Sequence, residues 1–486
     1  MSTQPGPKEK QVGKSTYILL IIGVVLCVIC FVVPPPAGFS EKGWKVLGLL
    51  IPVIMVWATE AMPVGVGSVW FLALVSAFGL VKPDVAFSGF LEHLTWLMAG
   101  AFAIATAMQK TGLSKRMTYF LLSKAKGFWT IIGAGYLANV LMLAIPSSAA
   151  RSGILAPIVN AIMDTVGRPS KSNFSRLITY HFCMATNAFV GIMFLTGGAA
   201  NPVMLGLYSQ ASGSTVTWNQ WLMIMFIPVL AFTAIMVAGS VLVGGRPEPE
   251  LIAMVRNSEA TKKSYEELGP ITSGEKKVMA AFVLAVVLWA LGDTIGVRPG
   301  YSALIVMGLL FLPGVGVLPA KALKELNWNI ILLIGAVMGL GSILTETGLN
   351  EVLSNLIFAP IMNPLSHLGL IGVALGVIAI SLVAHFILPS PNNLTLVVPL
   401  LVTWGINANL HPAALLAFLG MLALINDKVI LLSYQMPPYY VYLGMDVTDI
   451  PRFNQLLLRM YPVAMVAMIV AAFLIYSMIM LTGAGI

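Results

Sequence analysis

Charged residues make up only 9 % of this 486-residue chain, where a soluble protein carries about 25 %. So few charges cannot cover a water-facing surface. With 58 % hydrophobic residues and a mean hydropathy of +0.92, the chain reads as a polytopic membrane protein. The short alternating segments of an outer-membrane barrel are absent, which leaves helices. Cysteine is almost lacking. Cys27, Cys30 and Cys183 all lie inside apolar runs, so no disulfide framework is expected, and the Cys27/Cys30 CxxC reads as packing on a helix. The histidines at 93, 181, 367, 385 and 411 form no HxxxH or HExxH, and there is no Walker motif. An intramembrane metallo-hydrolase and an ATP-driven pump are therefore disfavoured, and neither metal nor cofactor is expected. The net charge of +8 is small for this length and sits in short loops, where it sets topology rather than binding nucleic acid.

What the chain does have is thirteen apolar runs, from 17–33 to 455–483. A polar, basic tail (1–16) precedes the first run, which is long enough to span, so a cytoplasmic N-terminus without a cleavable signal peptide is expected. The one long polar stretch, 246–276, mixes Glu with Lys and Arg and reads as a solvated linker between a first repeat (17–245) and a second (277–486). The two parts share an order of features. Lys110-Thr-Gly-Leu113 is echoed by Glu346-Thr-Gly-Leu349, Pro146-Ser147 by Pro389-Ser390, and the Asn201-Pro202 segment by Pro437-Pro438. Such a duplication is common in secondary transporters. Each Pro-Ser pair breaks an apolar run nearly twice the length of one span. Run 128–163 has basic flanks on both sides, Lys110 to Lys126 before and Arg168 to Arg176 after, whereas 367–405 has none between positions 363 and 412. By the positive-inside rule each run starts and ends on one side, and the two on opposite sides. The expected fold is all-α, with about 11 spanning helices plus two re-entrant hairpins in an inverted-topology repeat.

Irregular backbone at membrane depth is tolerated only where it is buried or lines a wet cavity. Opened hairpins also expose helix N-termini, which favour anions. The tips at 146–149 and 389–393, with the breaks at 191–202 and 433–438, define a four-part midplane site. Charges inside apolar runs need a reason. Arg151, just past the first tip, either caps hairpin carbonyls or attracts an anion. Lys428 either pairs with Asp427 or serves the site. Glu60 is read as holding scaffold helices together.

These residues resemble the divalent anion:sodium symporter family of di- and tricarboxylate carriers, from about Lys45 onward. The resemblance rests on Trp57-x-Thr59-Glu60-Ala61-x-Pro63, Trp96-Leu-x-x-Gly100, Lys110-Thr-Gly-Leu113, Pro146-Ser147-x-Ala149-Ala150-Arg151-x-Gly153, Phe194-Leu-Thr-Gly197-x-x-x-Asn201 and Pro437-Pro438. It implies secondary transport of a small organic dianion such as malate, succinate, 2-oxoglutarate or citrate across the plasma membrane, by a protein that is not an enzyme and dimerises with a second copy. It also implies substrate contacts at Ser147, Ser148, Thr196, Gly197, Asn201, Ser390, Asn392, Asn393 and Pro437, and sodium ligands at Ser147, Gly191 and Asn392. The family's Ser-Asn-Thr tips read here as Ser147-Ser148-Ala149 and Ser390-Pro391-Asn392. That departure favours exchange, with Arg151 and Lys428 as fixed compensating charge. Sodium-coupled symport, or carriage of tartrate, a sulfonate or sulfate, stands as the alternative.

Overall fold

The computed structural model describes residues 14–59, 61–257, 259–387, 392–426, 441–442, 445 and 447–483. Among them every regular element is helical. α1 (Lys14–Val32) runs antiparallel to α2 (Glu41–Thr59), followed by α3 (Val64–Ala77) and one short turn, α4 (Pro83–Ala86). Glycine lets α1 and α2 touch: a Cβ on Gly48 would meet Cys30 at 2.6 Å. The CxxC thiols are thus packing groups, and both are free. α5 (His93–Thr111) leads to α6 (Leu113–Ser123), α7 (Phe128–Val140), α8 (Ser148–Thr165) and α9 (Asn173–Met184). A π turn (Ala185–Phe189) and α10 (Val190–Met193) precede α11 (Ala200–Ser212) and α12 (Trp218–Gly244). α13 (Pro249–Arg256) and α14 (Ala260–Glu266) fill the polar stretch. Then come α15 (Ser273–Ile295), α16 (Pro299–Phe311), α17 (Trp328–Glu346), α18 (Leu349–Leu353), a second π turn (Ser354–Phe358) and α19 (Ala359–Ser366). α20 (Gly369–Ile387), α21 (Asn392–Asn407), α22 (Pro412–Asn426) and α23 (Ile450–Thr482) complete the bundle.

Five of the described helices, α2, α12, α15, α17 and α23, are long and apolar enough to cross a bilayer by themselves. The starts of α12 and α15 are fixed by reciprocal side-chain caps, Thr217 with Gln220 and Thr272 with Glu275, which satisfy helix-end N–H groups that apolar surroundings would leave unpaired.

The duplicated sequence features take the same local form. α5 ends on Gly112 at φ 82°, α17 ends at Glu346 with Gly348 two residues on at φ 70°, and in each case the next helix starts at the leucine after the glycine. Only glycine enters this left-handed region without strain. The packing is reciprocal as well. α3 lies on α17 and α16 lies on α5, so the helix preceding each Thr-Gly-Leu helix packs on the opposite one. A Cβ on Gly65 would meet the carbonyl oxygen of Asn329 at 2.1 Å, and one on Gly300 would meet that of His93 at 1.9 Å. The two glycines lie 235 positions apart and their partners 236. This is the pattern of a self-complementary interface, in which i touches j and the equivalent of j touches the equivalent of i. Trp57, from the first resemblance motif, donates from Nε1 to Ser68 Oγ at 3.0 Å and so ties α2 to α3 in a core shared with α17. Glu60 lies outside the described residues.

The polar stretch is not a free solvated linker. α14 packs on α6 and α8, and α13 packs on α8. Arg116 on α6 donates to Glu275 Oε1 at 2.7 Å and to the carbonyls of Leu268, Gly269 and Pro270, and the Glu275 bond raises its pKa. Glu248 accepts from the backbone N–H groups of Asn173 and Phe174 at 2.8 and 2.9 Å. Two members of the balanced stretch, Glu275 and Glu248, thus pair with α6 and α9.

The close approach at Gly300 gives a direct test. Gly300→Val should lower the melting temperature of the purified protein, by an overpacking cost of about 1–3 kcal/mol. Gly308→Ala on the exposed side of the same helix, where a Cβ meets nothing within 4 Å, should leave it unchanged. Scanning fluorimetry of both variants in detergent reads the difference.

Candidate functional site

Two breaks of the first half converge on one side chain. The chain leaves α7 at Val140, turns through 141–144 and becomes helical again at Ser148. Pro146 lacks the N–H needed to continue a helix. Ser147 is extended (φ −138°, ψ 112°), and its Oγ accepts from Ala150 N at 3.2 Å, which makes it the N-cap of α8. The second break begins where α9 loosens into the π turn, a form frequent at functional sites. α10 then stops at the extended Phe194, and the loop folds back onto it. A Cβ on Gly197 would sit 2.0 Å from Val190 O, and one on Gly198 would sit 2.7 Å from Gly191 O. Only glycine allows that approach. Asn201, buried at the start of α11, donates from Nδ2 to Gly191 O at 2.6 Å and to Phe194 O at 3.0 Å, and Trp221 Nε1 donates to Ile192 O at 3.0 Å.

Arg151 ties the two breaks together. It is wholly buried in the first turn of α8. Its guanidinium donates to the carbonyls of Ile145, Thr186 and Gly197, the last at 2.6 Å. These acceptors lie in the irregular segment before the tip, in the π turn and in the loop before α11. A buried charge costs several kcal/mol unless satisfied, and here carbonyl dipoles supply the partners. Of the two sequence readings, carbonyl capping is the one seen. The positive charge nevertheless stays within one turn of the N-terminus of α8, while Gly197 leads to the N-terminus of α11. Two positive helix ends and a guanidinium therefore stand together.

Thr196 completes the arrangement. It is buried, and its hydroxyl has no hydrogen-bond partner among the described residues. A buried unsatisfied hydroxyl calls for a water or a ligand. Of the residues singled out from the sequence, Ser147, Ser148, Gly191, Thr196, Gly197, Asn201 and Arg151 lie along these two breaks. The Gly191 carbonyl, expected as a sodium ligand, accepts from the Asn201 amide. Asn392 and Asn393 open α21, which packs along α11. Ser390, Lys428 and Pro437 lie outside the described residues. Thr186 was missed, although a Thr-Asn pair inside an apolar run was a usable signal. Its hydroxyl takes Ser152 Oγ at 3.2 Å, and its carbonyl holds Arg151. Tyr136 and Asn139 on α7 and Tyr180 on α9 also bury polar atoms without partners among the described residues. A cavity of about 380 Å³ has Leu195, next to Thr196, in its wall, together with His93, Ser209, Asp293 and Arg298.

Broken helices inside an apolar bundle are a feature of membrane transporters, and sequence comparison agrees. The profile described as the sodium:sulfate symporter transmembrane region matches residues 14–482, and the chain belongs to this divalent anion:sodium symporter family. It is similar to the inner membrane protein YbhI of Escherichia coli, with 30 % identity over 363 residues, 70 % of this chain and 73 % of that protein. The putative malate transporter YflS of Bacillus subtilis is 27 % identical over 357 residues, 71 % and 74 % of the two chains. The chloroplastic dicarboxylate transporter 1 of Spinacia oleracea is 27 % identical over 338 residues, 68 % of this chain and 58 % of that one. Among solved structures, Neisseria gonorrhoeae MtrF shares the fold at a TM-score of 0.52 and 14 % identity, over 97 % of this chain and 95 % of that one.

Because Arg151 satisfies three buried carbonyls, its removal should cost stability. Arg151→Gln leaves acceptors unpaired at about 1–3 kcal/mol each and should lower the melting temperature. Arg151→Lys keeps the charge but not the planar fork and should lower it as well. Melting of both variants at the wild-type temperature would mean that the guanidinium does not brace the breaks.

Proposed function

We propose that the protein is a secondary carrier of small organic dianions, C4-dicarboxylates first among them, across the cytoplasmic membrane by alternating access. The observation that carries this reading is the meeting of the α8 and α11 N-termini at the Arg151 guanidinium, beside the unpartnered Thr196 hydroxyl. A dianion held there is compensated by fixed positive charge and by neutral donors that also let it leave. The malate and dicarboxylate transporters among the relatives support this substrate class. The cavity beside Leu195 is the approach to the site from one side of the membrane.

The carrier is built from repeats 17–245 and 277–486 joined by 246–276, with inverted topology, about 11 spans and re-entrant hairpins at 128–163 and 367–405. The reciprocal glycine contacts favour that symmetry, and α7 and α8 both lie against α6, α9 and the π turn, as two arms of one hairpin would. The proposed substrate contacts are Ser147, Ser148, Thr196, Gly197 and Asn201 from the first repeat and Ser390, Asn392, Asn393 and Pro437 from the second, with Lys428 as a second fixed charge. The protein works as a homodimer with its N-terminus in the cytoplasm.

A permanent positive charge favours exchange, because the loaded site is nearer neutrality than the empty one. In proteoliposomes, uptake of labelled malate or succinate should be stimulated by unlabelled dicarboxylate inside and indifferent to external sodium. The family's sodium:sulfate description favours the second reading, sodium-coupled symport. Uptake that rises steeply with sodium and ignores internal dicarboxylate would establish symport instead, and absence of dicarboxylate uptake under either condition would overturn the substrate class.

Thr196→Val separates binding from folding. Its hydroxyl bonds to no described group, so the melting temperature should hold. A lost hydrogen bond to a charged ligand, about 1.5–3 kcal/mol, should raise the apparent KM ten-fold or more. An unchanged KM would place the substrate elsewhere.

A further inference from the structure

α23 is 33 residues long, or about 50 Å at 1.5 Å per residue. The hydrocarbon layer is about 30 Å thick and needs some 20 residues. Its last two turns are apolar, so the excess falls at the start, 450–459, which carries Arg452 and Arg459. This part of α23 stands at headgroup depth, where it meets the end of α12 and the start of α9. Gly244 is the junction. A Cβ there would meet Leu456 Cδ1 at 2.8 Å, and its carbonyl accepts from Arg176 Nη2. Arg452 and Arg459 stand four residues before and three after Leu456, on its face of the helix. Arg452 donates to Lys171 O at 2.7 Å, and the charges of Arg459 and Arg452, opposed by that of Glu248, act on Arg176. Two carboxylates lie near the group. Glu248 accepts from Asn173 N and Phe174 N with its two oxygens, and Asp449 accepts from Arg452 N. Neither forms an ion pair with the three arginines among the described residues. Below the cluster the surface is apolar, with Val466, two turns beyond Arg459, 56 % exposed on α23 and Leu242 84 % exposed on α12.

We propose that Arg176, Arg452 and Arg459 form a binding site for the phosphate of an anionic glycerophospholipid, whose acyl chains lie along Leu242 and Val466. Guanidinium forks match phosphate oxygens, and basic pockets between helices at the membrane surface take anionic headgroups. This inference stands apart from the substrate site and survives whatever the carried anion proves to be.

The test is the melting temperature of the detergent-purified, full-length protein during titration with phosphatidylglycerol, phosphatidylcholine or inorganic phosphate, with native mass spectrometry of retained lipid. Phosphatidylglycerol should raise the melting temperature of the wild type, while phosphatidylcholine and inorganic phosphate at the same concentration should not. Arg452→Gln with Arg459→Gln should require about ten-fold more phosphatidylglycerol for half the effect, the loss expected for one charge-assisted contact, and Lys321→Gln at a distant exposed position should respond as the wild type does. Should the double variant fail to fold, Arg459→Gln alone, altered at an exposed side chain, should retain less phosphatidylglycerol by native mass spectrometry. Wild-type retention in the variants would overturn the site. An equal response to inorganic phosphate would reassign it to a soluble anion, and an equal response to phosphatidylcholine would deny any recognition of charge.

Discussion

A bilayer offers no water to a broken helix, so every freed carbonyl must find a protein partner. In the first half of this transporter that requirement falls on one guanidinium. Arg151 holds the irregular segment before the tip, the π turn and the loop before α11. Without it, three interruptions of regular helix would each leave an acceptor buried and unpaired. Asn201 and Trp221 do the same work for α10. The backbone can therefore be irregular where the site needs helix ends, while the surroundings stay dry. The bracing residue is also the one proposed to compensate a bound dianion, so both roles would rest on the same guanidinium.

Glycine sets how closely the rest can pack around these breaks. Gly65 against Asn329 and Gly300 against His93 bring α3 onto α17 and α16 onto α5 in backbone contact. Helix association in lipid depends on such close approach, since the tails compete equally for larger apolar side chains. Gly197 and Gly198 use the same property locally, folding the site loop onto α10.

Much of this was legible from residue order. The Thr-Gly-Leu pairs became left-handed glycine caps followed by new helices, and Pro146-Ser147 became a break with an N-cap. Local rules govern both, because proline and glycine constrain their own backbone. The 246–276 stretch was read as solvated because its charges balance. Balance in sequence does not say where the partners are, and Arg116 and Glu248 reach groups 159 and 75 positions away. Thr186 escaped notice for a related reason: it acts through its carbonyl, which every residue has.

The sequence alone determined that this is a helical membrane protein with duplicated features and polar breaks in its apolar runs. Charge scarcity and hydrophobic run length dictate as much, whatever the tertiary arrangement. It also placed Arg151 and Thr196 in the region of the site. Tertiary structure decided what each does. Arg151 faces carbonyls up to 46 positions away, while the Thr196 hydroxyl is left without a described partner. Arg176, Arg452 and Arg459 become one cluster although they come from distant parts of the chain. A side chain's role follows from what surrounds it, and those neighbours are assembled by long-range packing that no local pattern encodes.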